Sequence, residues 1–246
     1  MPSRKSGVTW QCLSPECVSR LLFVLAFILF EPVLPAGHVS GASFEEVLAS
    51  MDKAAASFLG VSATIRQATY TAVIKDNSEE TGAMRMQRLG KRDVRLRVDF
   101  GEPDVRSVAF AGRTAEVYYP KIQTVQVYEL GKHRELIDQF LLLGFGTSGR
   151  ELQAGYLVQF AGTDTIGGEQ TARLELKSKS SAVREHLSLV ELWISPAGHP
   201  AQQKFHKPSG DHTTITYTGV RINPDFGKGE LALKLPPGVR REYPQK

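Results

Sequence analysis

The sequence predicts a mainly β protein, built as one large twisted antiparallel sheet that curls on itself and leaves its concave face to be covered by helices. Three observations lead there. Apolar and polar residues alternate with a period of two along much of the chain after Gly60. Turn-forming clusters interrupt that alternation at short intervals. Two apolar stretches break the period and read as helices.

The amino end stands apart from this domain. Arg4, Lys5 and Arg20 lead into the unbroken apolar run Leu21 to Phe30, and Pro32, Pro35 and the small residues Ser40, Gly41 and Ala42 follow. That is the order of a secretory signal. Its apolar core is about ten residues long, against the roughly twenty that a stable membrane-spanning helix needs, so residues 1–42 are expected to be cleaved after Ala42. An uncleaved inner-membrane anchor is the alternative, because Val33 and Leu34 extend the segment. Cys12 and Cys17 both lie in this leader, so the mature domain, residues 43–246, is expected to carry no disulfide or thiolate chemistry.

The 246 residues hold 30 Lys and Arg against 26 Asp and Glu, a net charge of +4. Removing the leader takes away Arg4, Lys5 and Arg20 against Glu16 and Glu31 and leaves a mildly basic chain. Nucleic acid as a partner is excluded on this ground, since it demands a dense cationic face. No stretch of the mature chain has the composition of a linker, so one domain is expected.

The first mature element is a helix. Ser43 with Glu46 three residues later forms a capping box. Phe44, Val47, Leu48, Met51, Ala55, Phe58 and Leu59 then recur at three- and four-residue spacing as one apolar stripe, and Gly60 ends it. Strands follow. Val94, Leu96, Val98 and Phe100 alternate with Arg95, Arg97 and Asp99; Ala172, Leu174 and Leu176 with Arg173, Glu175 and Lys177; Leu231, Leu233 and Leu235 with Ala232 and Lys234. Hairpin turns are predicted at Asp76-Asn77-Ser78, Gly90-Lys91, Gly101 to Asp104, Gly112, Gly131, Gly167-Gly168, Gly198 and Ser209-Gly210-Asp211. Short turns make consecutive strands antiparallel. Leu136, Ile137, Phe140, Leu141, Leu142, Leu143 and Phe145 form a second helix, with Gly146 to Gly149 as a loose hinge behind it.

A search for catalytic chemistry finds none. Gly144 to Gly149 matches the dinucleotide pattern G-x-G-x-x-G, yet it follows a helix inside an antiparallel run, where the pattern has no phosphate to hold. His133, His186, His199, His206 and His212 show no metal-ligand spacing, although His206 and His212 could converge across a hairpin. Ser148 and Ser180 lack the strand-to-helix elbow of a hydrolase nucleophile. No enzyme, metal or cofactor is expected. The basic residues Arg85, Arg88, Lys91, Arg92, Arg95 and Arg97 read either as the solvated face of a hairpin or as a positive rim for anionic head groups. The apolar helices read either as an ordinary core or as the lid of an acyl-chain cavity.

The order of several short motifs resembles a known family. An export signal, the amphipathic helix ending near Phe58, the strand from Gly82 to Arg88, Phe110-Ala111-Gly112 before Val117-Tyr118-Tyr119-Pro120, Leu192-Trp193-Ile194-Ser195-Pro196-Ala197-Gly198-His199-Pro200, and Leu235-Pro236-Pro237-Gly238-Val239 look like those of the LolA-type outer-membrane lipoprotein carriers. The resemblance spans nearly the whole mature chain. It implies a half-barrel of about ten or eleven strands under two or three helices acting as a lid. It also implies a monomeric, non-enzymatic periplasmic carrier that holds the acyl chains of lipoproteins, receives them from an inner-membrane ABC-type extractor and delivers them to an outer-membrane receptor. Arg88 matches the family arginine that latches the lid. The aromatic that the family places soon after it is replaced here by Val94 or Leu96, about three residues further on. The acyl-chain cavity is expected to be lined by Leu48, Met51, Phe58, Phe110, Phe140, Leu141 and Leu143. The alternative function is a lipid- or lipoprotein-sensing interaction module on the same fold, held by an uncleaved leader; an envelope hydrolase ranks last.

Overall fold

The capping box at Ser43 starts the first element as expected. In the computed structural model, which describes residues 43–90, 93–131 and 142–244, the Ser43 amide donates to Glu46 Oε2 at 2.7 Å. The Glu46 amide returns a bond to Ser43 Oγ. Helix α1 runs over Phe44–Ser57 and buries Val47, Met51, Ala54 and Ala55. Phe58 is its extended C-cap, and Gly60 already opens the first strand. The expected leader, residues 1–42, lies outside the described residues.

One sheet of twelve strands follows, with β1 at Gly60–Thr71, β2 at Asp76–Arg88, β3 at Val94–Phe100, β4 at Arg106–Ala111, β5 at Thr114–Tyr119 and β6 at Thr124–Glu129. Its second run is β7 at Tyr156–Ile166, β8 at Glu169–Ser178, β9 at Leu189–Ile194, β10 at Pro200–His206 and β11 at His212–Ile222, with β12 at Arg240–Glu242. The spatial order is β12-β6-β5-β4-β3-β2-β1-β11-β10-β9-β8-β7. Two antiparallel meanders are therefore joined where β1 meets β11, with Ile65 opposite Tyr217. The described residues also form two short α-helices, α2 at Gly149–Gly155 and α3 at Ser181–Arg184.

Three expectations need correction. The turn expected at Asp76-Asn77-Ser78 falls at residues 72–75, where Lys75 takes a left-handed conformation at φ 52°. The Asp211 carboxylate fixes it by accepting the Ala72 amide at 2.8 Å, a partner 139 positions away that no local pattern reveals. The Leu231 to Leu235 alternation is not a strand of the sheet: Leu231 ends a turn, Ala232 lies in a bend, and residues 233–235 are irregular. Leu233, Leu235 and Val239 pack on Tyr118, Val125 and Val127, and Arg97 binds the Ala232 carbonyl at 2.7 Å where a ladder neighbour would stand. The final strand, β12, runs parallel to β6, an exception to the antiparallel rule that a long connection permits.

Residues 132–141, most of the second expected helix, lie outside the described residues. Leu142, Leu143 and Phe145 are buried, and the chain bends between them. The segment expected as a loose hinge instead nucleates structure. Ser148 caps α2, with the Glu151 amide on its Oγ at 3.1 Å and its own amide on Glu151 Oε2 at 3.0 Å.

Inward residues divide into two cores. The first gathers Phe58, Val61, Ile65, Met84, Met86, Leu96, Val98, Phe145 and Tyr217 over β1 to β4. The second gathers Val47, Met51, Leu143, Leu152, Leu174, Leu176, Leu192 and Ile194 between α1 and β7 to β9. On the outer face two residues of the basic cluster form ion pairs: Arg85 and Arg97 both reach Asp99, at 3.0 and 2.9 Å, and Arg85 also reaches Glu230; Lys91 and Arg92 lie outside the described residues.

Candidate functional site

The concave face is filled unevenly, and the filled half is the one that α1 covers. Over β7 to β9 the inward positions are Leu174, Leu176, Leu192 and Ile194, which meet the α1 stripe with no exposed surface to spare. Over β1 to β4 and β10 to β11 the inward residues leave an apolar cavity of about 310 Å³. Met84, Met86, Leu96, Val98 and Val108 form its floor, Phe100 and Phe110 one wall, and Phe205, Ile215 and Tyr217 the other, with Phe145 against it from the lid side. Two flexible methionines make that floor adaptable.

Arg88 closes this region. At the end of β2 its guanidinium donates to the carbonyls of Ala55 at 3.1 Å and Phe58 at 2.6 Å, and to that of Gly146 at 3.1 Å. The first two stand at the C-terminus of α1, where Ala55 also accepts the Phe58 amide and a cation is favoured by the helix dipole. One side chain of the sheet thus ties α1 and the Gly146 loop together. Gly146 has to be glycine: it sits at φ +72°, and a Cβ there would stand 2.5 Å from Phe58 Cδ1. Gly149 likewise leaves no room beside Leu48. The G-x-G-x-x-G run is a packing device at the lid, followed by a helix of seven residues and no parallel strand.

A buried polar chain holds the loop to the sheet. Tyr217 Oη donates to Gln203 Oε1 at 2.6 Å, and Gln203 Nε2 donates to the Leu143 carbonyl. Burial pushes the Tyr217 phenol far above its usual range, so it stays a neutral donor. Phe145 stands edge-on to Tyr217 with ring centres 5.0 Å apart. His199 packs between Phe145 and Phe58, at 6.2 and 6.5 Å. Its Nδ1 is buried with no hydrogen-bond partner among the described residues, and desolvation lowers its pKa.

The expected lining is redistributed. Phe110 lines the cavity. Met51 and Leu143 belong to the filled core, where the large inward leucines of β8 and β9 leave no space, and Leu48 lies half-buried against Gly149. Phe58 sits at the lid edge beside Phe145 rather than on the cavity wall. Phe140 and Leu141 lie outside the described residues. Met84, Met86, Gln203 and Tyr217 were not singled out from the sequence; an inward glutamine on an otherwise apolar strand face was the available signal.

A wider depression of about 650 Å³ opens at the outer edge of the lid, but Asp52, Arg88, Arg150 and Glu151 charge its walls and unfit it for an apolar guest. His206 and His212 do converge across their hairpin, with ring centres 5.6 Å apart. His206 Nε2 is taken by Glu191 at 2.6 Å, and among the described residues no group of three or more His, Cys, Asp or Glu gathers as a metal site. Among the same residues no helix is long and apolar enough to cross a membrane.

No protein-family model matches this sequence, and no curated protein does. Solved structures similar to it exist at low identity. MucB from Pseudomonas aeruginosa, in a complex with MucA, matches at 14% identity and TM-score 0.44 over 77% of this chain and 60% of that one. A LolA superfamily protein from Nitrosomonas europaea matches at 14% identity and TM-score 0.36 over 78% of this chain and 98% of that one. LprF from Mycobacterium bovis matches at 13% identity and TM-score 0.45 over 76% and 97%.

Proposed function

We propose that this chain is a binding protein for acyl chains that acts as a lipoprotein carrier in the periplasm, after removal of residues 1–42. The observation that carries the reading is the apolar cavity of about 310 Å³ on the concave face, beside a lid that Arg88 holds at three carbonyls. An acyl chain in water costs about 0.8 kcal/mol per exposed methylene, so a carrier between two membranes must enclose it and must also be able to let it go. Three hydrogen bonds from one arginine suit that requirement better than a continuous apolar seal, because they form and break as a unit. The partners of such a carrier are acylated lipoproteins, an inner-membrane ABC-type extractor and an outer-membrane receptor.

The test is direct. The chain from Ser43 onward, purified without detergent, is expected to raise the fluorescence of an apolar dye, to lose that signal when Met84→Trp fills the floor, and to capture acylated but not unacylated lipoprotein. A flat dye titration with no lipid by mass spectrometry would overturn the reading. A sensing module anchored by its leader would share this cavity; recovery of full-length protein in inner-membrane fractions selects it over the shuttle.

A further inference from the structure

We infer that the tip of the β1–β2 hairpin is a membrane-docking element that seats Val73 and Ile74 in the surface of an anionic lipid bilayer. The two residues are neighbours at the apex of the turn, 89% and 68% exposed. Turn geometry asks for glycine or small polar residues at such a place, and two adjacent β-branched side chains in water bring the turn nothing.

The hairpin carries this pair outward and holds it there. β2 pairs with β3 only over Gly82–Arg88, whereas its ladder with β1 continues to Asp76. Residues 76–81 therefore run past the β3 ladder, a length of about 20 Å at about 3.3 Å per residue. The β10–β11 turn stands beside the tip and braces it: Asp211 accepts the Ala72 amide at 2.8 Å, and a Cβ on Gly210 would meet Ala72 Cβ at 3.3 Å. The Lys75 amide bonds the Ala72 carbonyl at 3.3 Å, so the apex brings fewer unpaired main-chain groups to a lipid surface.

The side chains around the apex select lipid as the partner. Lys75 and Lys207 are exposed and form no ion pair among the described residues. Lys204 stands close enough to His212 to repel its proton, and Tyr70 stacks on the same ring with centres 5.0 Å apart. Against these lysines stand Asp76 and Asp211, the second turned onto the Ala72 amide, while Glu79 is paired with Arg66 at 3.4 Å. The surplus charge is positive. Lysine and tyrosine settle at the head-group boundary of a bilayer, with apolar side chains below them. Lysine is depleted where one protein docks on another, which disfavours that occupant.

The chain from Ser43 onward contains no cysteine, so Ile74→Cys takes a single environment-sensitive dye at the apex. Leu157→Cys, 64% exposed on β7, is the control. Vesicles of phosphatidylglycerol and phosphatidylcholine in equal parts are expected to shift the emission at position 74 to the blue and to leave that at position 157 unchanged. In co-sedimentation with unlabelled protein, Val73→Ser with Ile74→Ser is expected to weaken binding at least tenfold. Lys75→Gln and Lys207→Gln are expected to weaken it about fivefold each. These positions are exposed, so the variants are expected to unfold at the parent's temperature. An unshifted emission at position 74, or vesicle binding that survives Val73→Ser with Ile74→Ser, overturns the inference. A shift that appears without vesicles as the protein is concentrated assigns the pair to contact between copies and overturns it too. Dye uptake by the cavity is measured without membranes, so each of these failures leaves the carrier reading standing.

Discussion

The Arg88 guanidinium donates to the main-chain oxygen of Phe58 at 2.6 Å and lies 5.5 Å from the centre of the same residue's ring. Sheet and lid meet in that contact, which pairs a cation with a helix-terminal carbonyl and an aromatic face at once. Removing it takes the guanidinium from the Phe58 and Gly146 carbonyls and leaves Ala55 only the Phe58 amide. Arg88→Ala is expected to cost about 2–3 kcal/mol in urea unfolding and to speed dye entry, with Arg88→Lys intermediate because an ammonium cannot fork to all three. Dye entry at the original rate would show that the lid opens elsewhere.

Gly146→Ala is expected to lose about 1–3 kcal/mol, since the new methyl meets Phe58 at 2.5 Å in a left-handed backbone. Gly155→Ala, where a Cβ meets nothing within 4 Å, is the control and is expected to be neutral. Thermal denaturation of the two side by side reads the difference.

Tyr217→Phe removes the donor to Gln203 and keeps the ring against Phe145. A loss of about 1–2 kcal/mol is expected, the cost of one unsatisfied buried acceptor. Dye binding should survive, because the cavity wall stays apolar.

Acid should loosen the lid through His199. Its pKa is lowered in the folded state by burial, so the unfolded chain takes up the proton first. The stability that depends on the neutral ring is complete above about pH 6.5 and declines as pH falls below it. His212 is shifted the same way and adds to the slope. Glu80 and Asp99, whose pKa values are lowered, contribute losses only below the ordinary carboxylate range, which separates the two windows. Urea midpoints from pH 7.5 to 5 are expected to fall less steeply for His199→Phe than for the parent chain.

Much of this fold can be read from pattern. Capping residues and the change from helical to twofold period place α1 and the strands, because both are local consequences of which face is dry. What escaped depends on distant partners. Nothing near Thr71 announces that Asp211 will fix its turn, and the Leu231 alternation does not say that Leu233 and Leu235 will pack on a face of the sheet instead of joining its ladder. Helix α2 was legible in principle: Ser148 and Glu151 repeat the spacing of Ser43 and Glu46. The cavity's position was not, because it depends on which half of the sheet α1 covers, and the α1 stripe does not name the strands it will meet.

The junction between β1 and β11 sets an order of events. Thr64 and Thr218 touch across it although 154 residues separate them, so the concave wall is incomplete until nearly the whole polypeptide is present. Such distant pairing is slow to form. A growing chain can build the β1 to β6 meander but has no second wall to set against it. The concave wall is therefore completed last, and a chain truncated before His212 would lack the strand that joins its two halves.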